Sequence, residues 1–177
     1  GGIVTLKQAE DYHNYVYSGD IKYQPTEQDT FTAQYAFSQT QYPDDLFQAF
    51  CNGDDCQIPP TACDLSNCDY NERVLRTNKQ GQFNDNMYKL TYNHNRRNWY
   101  TKVEYESIGD DFRGDLGFIE KVDNAKFVAG GGYKWYPSES FFSKIVLGGD
   151  WDISHTQSGE RLEEEAEMFV EFEGDYQ

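Results

Sequence analysis

Four cysteines lie close together in one polar stretch, and they are the residues of this sequence with the most obvious chemistry. The stretch reads CNGDDCQIPPTACDLSNC and holds Cys51, Cys56, Cys63 and Cys68. An even, clustered set in an exported chain predicts two disulfides, which would staple a loop too polar to fold by itself. Three pairings are possible, and we favour the local pairs, Cys51–Cys56 with Cys63–Cys68, over a nested arrangement.

A four-thiolate zinc or iron–sulfur site is the alternative for these cysteines, and free thiols are a third possibility. Structural zinc sites mostly use C-x₂-C knuckles, whereas four residues lie inside each local pair. Disulfides therefore remain our prediction. Oxidised cysteines would place this loop in the periplasm or outside the cell.

The histidines do not suggest a catalytic set. There are three, at His13, His94 and His155, and none has a sequence neighbour at metal-ligand or catalytic spacing. We therefore expect no enzymatic activity. A hydrolase that uses loop carboxylates stays open, because the geometry of such a pair is tertiary.

Acidic clusters are the remaining candidates for ligand chemistry. They are Asp54-Asp55, Asp110-Asp111 with Asp115, and Asp150 with Asp152. Carboxylates in loops can bind calcium, but no segment matches the twelve-residue calcium loop. We expect no cofactor, with calcium at these acidic loops as the alternative.

The composition limits the partners of the chain. Its 177 residues carry a formal net charge of −16, which argues against nucleic-acid binding, since that requires a basic surface. Aromatic residues make up 16 % of the sequence. Abundant aromatics with many glycines and few long aliphatic side chains favour β-structure exposed on both faces. The sequence contains no run of 18 apolar residues, so it predicts no transmembrane helix.

The stretches that position these residues alternate apolar and polar side chains with a period of two, which is typical of strands with two different faces. Seven such segments occur, at about 13–23, 30–38, 88–93, 99–106, 127–135, 141–153 and 162–172. The last also contains residues that favour a helix, but its period of two favours a strand. The glycines of AGGGYKW lie inside a strand and indicate close packing or a bend.

The connections between these segments alternate between short and long. Short ones follow the first, third and fifth segments, and long ones follow the second, fourth and sixth. This layout is typical of an outer-membrane barrel with short periplasmic turns and long extracellular loops. We predict an all-β antiparallel up-and-down meander, part of a transmembrane β-barrel, with a soluble β-sandwich or meander as the alternative.

The expected organisation is one all-β region over residues 1–177 with a cysteine-rich loop insertion at about 42–82. Its apolar face would meet outer-membrane lipid, and its polar face would line a water-filled lumen in which Lys102 and Lys144 offset some of the acids. Because seven strands are an odd number, and the chain starts with Gly1-Gly2, we expect a segment of a larger barrel. The rest of the same polypeptide or another chain would complete it.

One loop carries a family resemblance. DDFRGDLGFIEKVD, followed by GGGYKWYPSE and LGGDWDISHTQSGERLEEE, resembles large exported bacterial proteins with an N-terminal carbohydrate-binding family 9-like domain. Their C-terminal region is regarded as an outer-membrane β-barrel of uncharacterised function. The family motif D-F-R-x-D-x-G-F is matched by Asp111, Phe112, Arg113, Asp115, Gly117 and Phe118.

The resemblance implies the outer membrane of a Gram-negative bacterium, with the long loops extracellular, and a loose link to glycans. The expected role is transport, anchoring or surface display. A soluble secreted carbohydrate-binding β-domain is the alternative. We expect the motif loop to be structural: Arg113 would form ion pairs with its acidic neighbours, Gly114 and Gly117 would allow tight turns, and Phe112 and Phe118 would tuck the loop inward.

Overall fold

The chain folds as an antiparallel β-meander. The structure, a computed structural model, describes residues 1–43, 81–117, 119 and 121–174. Its strands are β1 (Gly2–Ala9), β2 (Tyr12–Tyr23), β3 (Asp29–Gln41), β4 (Gln82–Asn95), β5 (Trp99–Ile108), β6 (Asn124–Trp135), β7 (Phe142–His155) and β8 (Arg161–Gly174). They form one eight-stranded sheet in sequence order. The predicted all-β meander is confirmed.

The seven predicted segments correspond to β2 through β8. The last segment is a strand rather than a helix, and it pairs antiparallel with β7 over most of its length. No helix among the described residues is long and apolar enough to cross a membrane.

The strand that the sequence did not reveal is β1. It pairs antiparallel with β2, from Gly2 opposite Gly19 to Ala9 opposite Tyr12. Its apolar residues Ile3, Val4 and Leu6 do not follow a period of two, because both faces of this strand are exposed. The prediction of seven strands was therefore wrong by one.

The connections differ from the predicted strict alternation at two places. The turn between β1 and β2 is only Glu10 and Asp11, and Asp11 takes a positive φ of 58° there. The connection between β7 and β8 is residues 156–160, no longer than the turn between β2 and β3. Two connections remain long, residues 42–81 and 109–123. The prediction holds for those two and fails for the last.

Residues 44–80 contain all four cysteines, so the disulfide and zinc interpretations of Cys51, Cys56, Cys63 and Cys68 lie outside the described residues. Phe118, the last residue of the family motif, lies outside them as well. The cysteine chemistry stays a prediction.

The chain divides into two compact units whose boundaries fall inside strands. The first unit comprises the described residues of Gly1–Gly19, Tyr35–Tyr88 and Ile108–Asn124. The second comprises those of Asp20–Gln34, Lys89–Ser107 and Ala125–Gln177.

The first unit holds a small apolar core. Its buried members are Ala36, Ile108, Phe112 and Val122, and partly buried Val16, Met87 and Ile119 pack against them. Phe112 and Val122 come from the long connection between β5 and β6, so this core joins a loop to strands.

The second unit has one apolar and one polar sheet face. The register of β6, β7 and β8 places Tyr133, Leu147 and Val170 side by side on one face. The neighbouring row, Lys134, Val146 and Glu171, lies on the other. Because side chains alternate along a strand, the apolar face continues through Phe127, Trp135, Trp151, Ala166 and Met168.

Candidate functional site

In the first unit, the loop that carries the family motif is fastened to the strands by a buried asparagine. Asn14 of β2 is 1 % exposed. Its Nδ2 donates to Thr40 Oγ1 at 2.8 Å and to the Arg113 carbonyl at 3.0 Å, while its Oδ1 accepts from the Asp115 backbone N–H at 3.0 Å. One side chain therefore hydrogen-bonds a strand residue and two backbone groups of the loop at once. Buried polar groups require such partners.

Asp115 is the carboxylate of this loop that receives two tyrosine hydroxyls. Tyr12 donates to its Oδ2 at 2.5 Å and Tyr42 to its Oδ1 at 2.9 Å. Burial, and then the charge of Asp115 and its hydrogen bond, raise the pKa of the Tyr42 phenol. These two hydroxyls therefore stay protonated and hold the loop from both sides.

The start of the loop is held by Asp85 of β4. Its Oδ2 accepts from the Asp111 backbone N–H at 3.0 Å. Gly109 lies directly against this carboxylate: a Cβ on Gly109 would be 2.0 Å from Asp85 Oδ2. The glycine leaves room for the Asp85 carboxylate, which a Cβ at this position would displace.

Arg113 sits in the loop with its backbone and side chain both engaged. Its N–H donates to Ser38 Oγ at 3.0 Å, and its guanidinium donates to the carbonyls of Asp110 and Phe112 at 2.7 and 2.9 Å. The guanidinium also lies over the Phe83 ring, 5.6 Å from its centroid. These contacts join the guanidinium to backbone oxygens and an aromatic face. The ion pairs expected between Arg113 and its acidic neighbours stay a prediction.

The remaining motif residues complete the turn. The Gly117 N–H donates to the Gly114 carbonyl at 2.9 Å, and Phe112 is 2 % exposed in the core of the first unit. Of the motif, Asp111, Phe112, Arg113 and Asp115 are thus brought together against β2, β3 and β4. No reacting group lies among these contacts, and what the arrangement does is fix the loop.

In the second unit, the polar face carries ion pairs, some between strands and one within β5. Lys89 Nζ lies 2.8 Å from Glu104 and 3.0 Å from Glu106, and Lys102 lies 3.0 Å from Glu104. Farther along the sheet, Lys144 lies 2.5 Å from Glu173. The predicted offsetting of acids by Lys102 and Lys144 is present.

A cavity of about 480 Å³ opens on this polar face. The polar side chains that line it include Asn93, Asn95, Tyr100, Lys102, Lys134 and Lys144. Three lysines and one acid, Glu171, thus line the cavity in a chain whose net charge is −16. Sequence reasoning did not identify this site, because the three lysines come from three different strands.

Two glycines shape the wall of the cavity. A Cβ on Gly132 would lie 2.7 Å from the Tyr100 ring, and one on Gly148 would lie 2.7 Å from the Tyr100 hydroxyl. The glycine-rich strand therefore allows the close packing that its sequence indicated.

A pair of His94 and Asp29, which the sequence did not reveal, lies at one end of β4. His94 Nδ1 is 2.7 Å from Asp29 Oδ1, and the imidazole stacks on Trp99 at 4.1 Å. Asp29 also accepts from the Tyr92 hydroxyl at 2.8 Å. The sequence showed no neighbour for His94, because 65 residues separate it from Asp29. These contacts connect β3 to β4. None of them brings a nucleophile to the imidazole ring.

Groups of three or more His, Cys, Asp or Glu side chains that could hold a metal ion do not occur within the described residues. Calcium at Asp110, Asp111 and Asp115, or at Asp150 and Asp152, gains no support from that search. The Asp54-Asp55 pair lies outside the described residues.

No protein-family model, curated protein or solved structure matches this chain. Arguments about its function therefore rest on its own residues.

Proposed function

We propose that this chain is a segment of an outer-membrane β-barrel whose apolar face contacts lipid and whose polar face meets water. Transport, anchoring or surface display is the role that such a segment would serve. The resemblance of its motif loop to exported bacterial barrel proteins agrees with this role, and a link to glycans rests on that resemblance alone.

The observation that carries the proposal is the inverted distribution of side chains. Among the described residues, 22 large hydrophobic side chains are exposed, whereas only six hydrophobic residues are buried. Twelve polar or charged residues are buried. A protein dissolved in water would gain stability by the opposite arrangement, because apolar burial drives its folding. A sheet whose apolar face contacts lipid would account for the exposed hydrophobic side chains.

The dimensions of the apolar face suit a bilayer. Trp135 and Phe127 are eight residues apart on β6, and both belong to this face. At about 3.3 Å per residue the distance is roughly 26 Å along the strand. A strand tilt of about 40° reduces it to roughly 20 Å of depth, near the ~25 Å apolar band of such barrels.

Aromatic side chains gather where the short turns join the strands of the second unit. They are exposed and comprise Tyr23, Trp99, Trp135, Tyr136 and Phe141. Amphipathic aromatic rings prefer the boundary between lipid and water, where they form girdles around barrels. This end of the second unit would lie at one membrane interface.

The last strand supports the idea that further strands complete the barrel. β8 ends the sheet order, and all its residues from 161 to 172 are exposed. A strand edge with an exposed apolar row is prone to pair with another strand. We propose that the rest of the same polypeptide, or another chain, pairs with this edge.

A lysine substitution on the apolar face tests the lipid contact. Met168 is 83 % exposed, and its backbone pairs with Gly149 near the middle of that face. In phosphatidylcholine vesicles, Met168→Lys should lower the inserted fraction, because a lysine near the bilayer midplane costs about 2–4 kcal/mol. The measurement is the urea dependence of insertion by fluorescence.

Glu167→Lys is the matched control, since it adds a lysine to the opposite face of the same strand. It should leave insertion nearly unchanged although it alters the charge more. Equal effects of the two substitutions, or a chain that stays monomeric and soluble without detergent, would remove the lipid-facing assignment.

A soluble carbohydrate-binding β-domain is the second candidate, because the exposed tryptophans could also stack on sugar rings. Binding on a glycan array that disappears on Trp99→Ala or Trp135→Ala, in a chain that needs no detergent, would favour it.

A further inference from the structure

We propose that the cavity on the polar face of the second unit binds a small organic anion through its carboxylate or phosphate group, with Lys134 as the principal contact. The inference does not depend on the lipid contact of the apolar face. It rests on the charges and shape of the cavity.

Lys134 is the lysine of the cavity that has no acidic partner among the described residues. Its Nζ donates to Asn95 Oδ1 at 2.8 Å and lies 3.5 Å from the Arg96 carbonyl. It also lies 5.1 Å from the centroid of the Tyr100 ring. Within the part of the chain that the structure describes, no carboxylate lies within 4.0 Å of this ammonium group. The neutral contacts orient the charge without neutralising it.

The other two lysines of the cavity already have carboxylate partners. Lys102 lies 3.0 Å from Glu104, and Lys144 lies 2.5 Å from Glu173 and 4.0 Å from Glu171. They therefore contribute a second, weaker attraction, whereas Lys134 offers a full charge. Because the cavity is only partly shielded from water, its attraction for an anion should weaken as salt is added.

The neutral groups around Lys134 suit a ligand that carries hydroxyl groups beside its anion. The carboxamides of Asn93 and Asn95 can each donate and accept hydrogen bonds. The Tyr100 ring forms a flat wall, which Gly132 and Gly148 leave room for. A volume of about 480 Å³ falls within the range of small-molecule sites, roughly 300–1,000 Å³.

The ligand class therefore is an anionic, hydroxylated small molecule rather than a neutral one. The rest of the acidic chain repels anions, so the attraction must be local to this cavity. A carboxylate and a phosphate share the required charge and acceptor oxygens, and the test separates them.

Calorimetric titration of the detergent-solubilised chain at low salt tests the proposal with three probes: citrate, inorganic phosphate and neutral glycerol. At least one of the two anions should bind with a Kd below about 1 mM, and glycerol should not. Lys134→Met should weaken that binding at least tenfold, and Lys134→Arg should retain most of it. Stronger binding of citrate identifies a carboxylate site, and stronger binding of phosphate a phosphate site.

Lys22→Met is the matched control, because Lys22 is an exposed lysine of the second unit outside the cavity. It should change the Kd by less than about twofold. The proposal is overturned if neither anion binds, or if Lys134→Met and Lys22→Met weaken binding equally. Failure here leaves vesicle insertion of Met168→Lys unaffected, so the two proposals are tested separately. If Lys134→Met does not fold, Lys134→Gln replaces it.

Discussion

The two units bury their polar sheet residues in different ways. In the first unit, Asn14 and Ser38 hydrogen-bond the loop that follows β5, and Phe112 of that loop packs into an apolar core. In the second unit, the polar face keeps charged pairs such as Lys89 with Glu104, and a cavity opens beside Lys134. One polar face is closed by a loop, and the other is left accessible to water.

The difference indicates which part of the chain is structural and which part is available to a ligand. Asn14, Ser38 and the Asp85 carboxylate hydrogen-bond backbone groups of the docked loop, so these backbone groups are satisfied by the protein rather than by water. Lysines and glutamates remain where water can still solvate them, since isolated buried charges are costly. The contacts of the docked loop are those of a structural support, and the lysine-lined cavity is the part of the chain that we propose for ligand binding.

The largest expected effect comes from removing the apolar anchor of the docked loop. Phe112→Ala should lower the free energy of unfolding by about 3–5 kcal/mol, because it leaves a cavity in a buried core. Leu147→Ala in the second unit should cost much less, because Leu147 is exposed on the apolar face. Denaturant unfolding in detergent micelles measures both, and equal losses would contradict the contrast between the units.

A smaller loss is expected from the hydrogen-bonding hub. Asn14→Ala removes the partner of Thr40 and of two loop backbone groups, so it should cost about 1–3 kcal/mol. Asn93→Ala, which shortens a side chain lining the cavity, should stay within about 0.5 kcal/mol. The same unfolding measurement applies. An Asn14→Ala variant as stable as Asn93→Ala would mean that the loop is not held by this network.

Arg113→Ala should loosen the docked loop without abolishing the fold of the strands. Its guanidinium contacts the carbonyls of Asp110 and Phe112, and their loss should speed amide hydrogen exchange in residues 109–117. Exchange in β7 and β8 should not change. Faster exchange throughout both units would show that Arg113 supports more than its loop.

The smallest effect is a change in alkaline stability. The pKa of Tyr42 is raised in the folded state by burial and by Asp115, so its phenol stabilises the fold below its unfolded pKa of about 10. That contribution is lost progressively as the pH rises above 10. Tyr42→Phe should therefore flatten the decline in unfolding free energy between about pH 9 and 11. An equally steep decline in Tyr42→Phe, with exposed Tyr136→Phe as control, would contradict this account.

The sequence predicted seven of the eight strands because their alternation reflects two chemically different faces. β1 escaped detection, since Ile3, Val4 and Leu6 lie on both of its faces. The motif loop was noticeable from its residues, but its partners Asn14 and Ser38 were not. They are small polar residues with no periodic signal, and 99 residues separate Asn14 from Arg113. The sequence also did not reveal the pair of His94 and Asp29 or the three lysines of the cavity. Strand register brings these residues together.

The central claim is that the apolar face of the second unit lies in lipid, and native tryptophan fluorescence tests it most directly. Two of the three tryptophans of the chain, Trp135 and Trp151, lie on this face. Trp151 pairs with Ala129, six residues from Trp135 along β6, which is roughly 15 Å of depth at about 3.3 Å per residue and a tilt of about 40°.

In vesicles of brominated lipids, a variant that retains only Trp151 should be quenched most by bromines deep in the acyl chains. A variant that retains only Trp135 should be quenched most by bromines near the headgroups. Absence of quenching by either lipid, with strong quenching of both variants by aqueous acrylamide, would contradict the account.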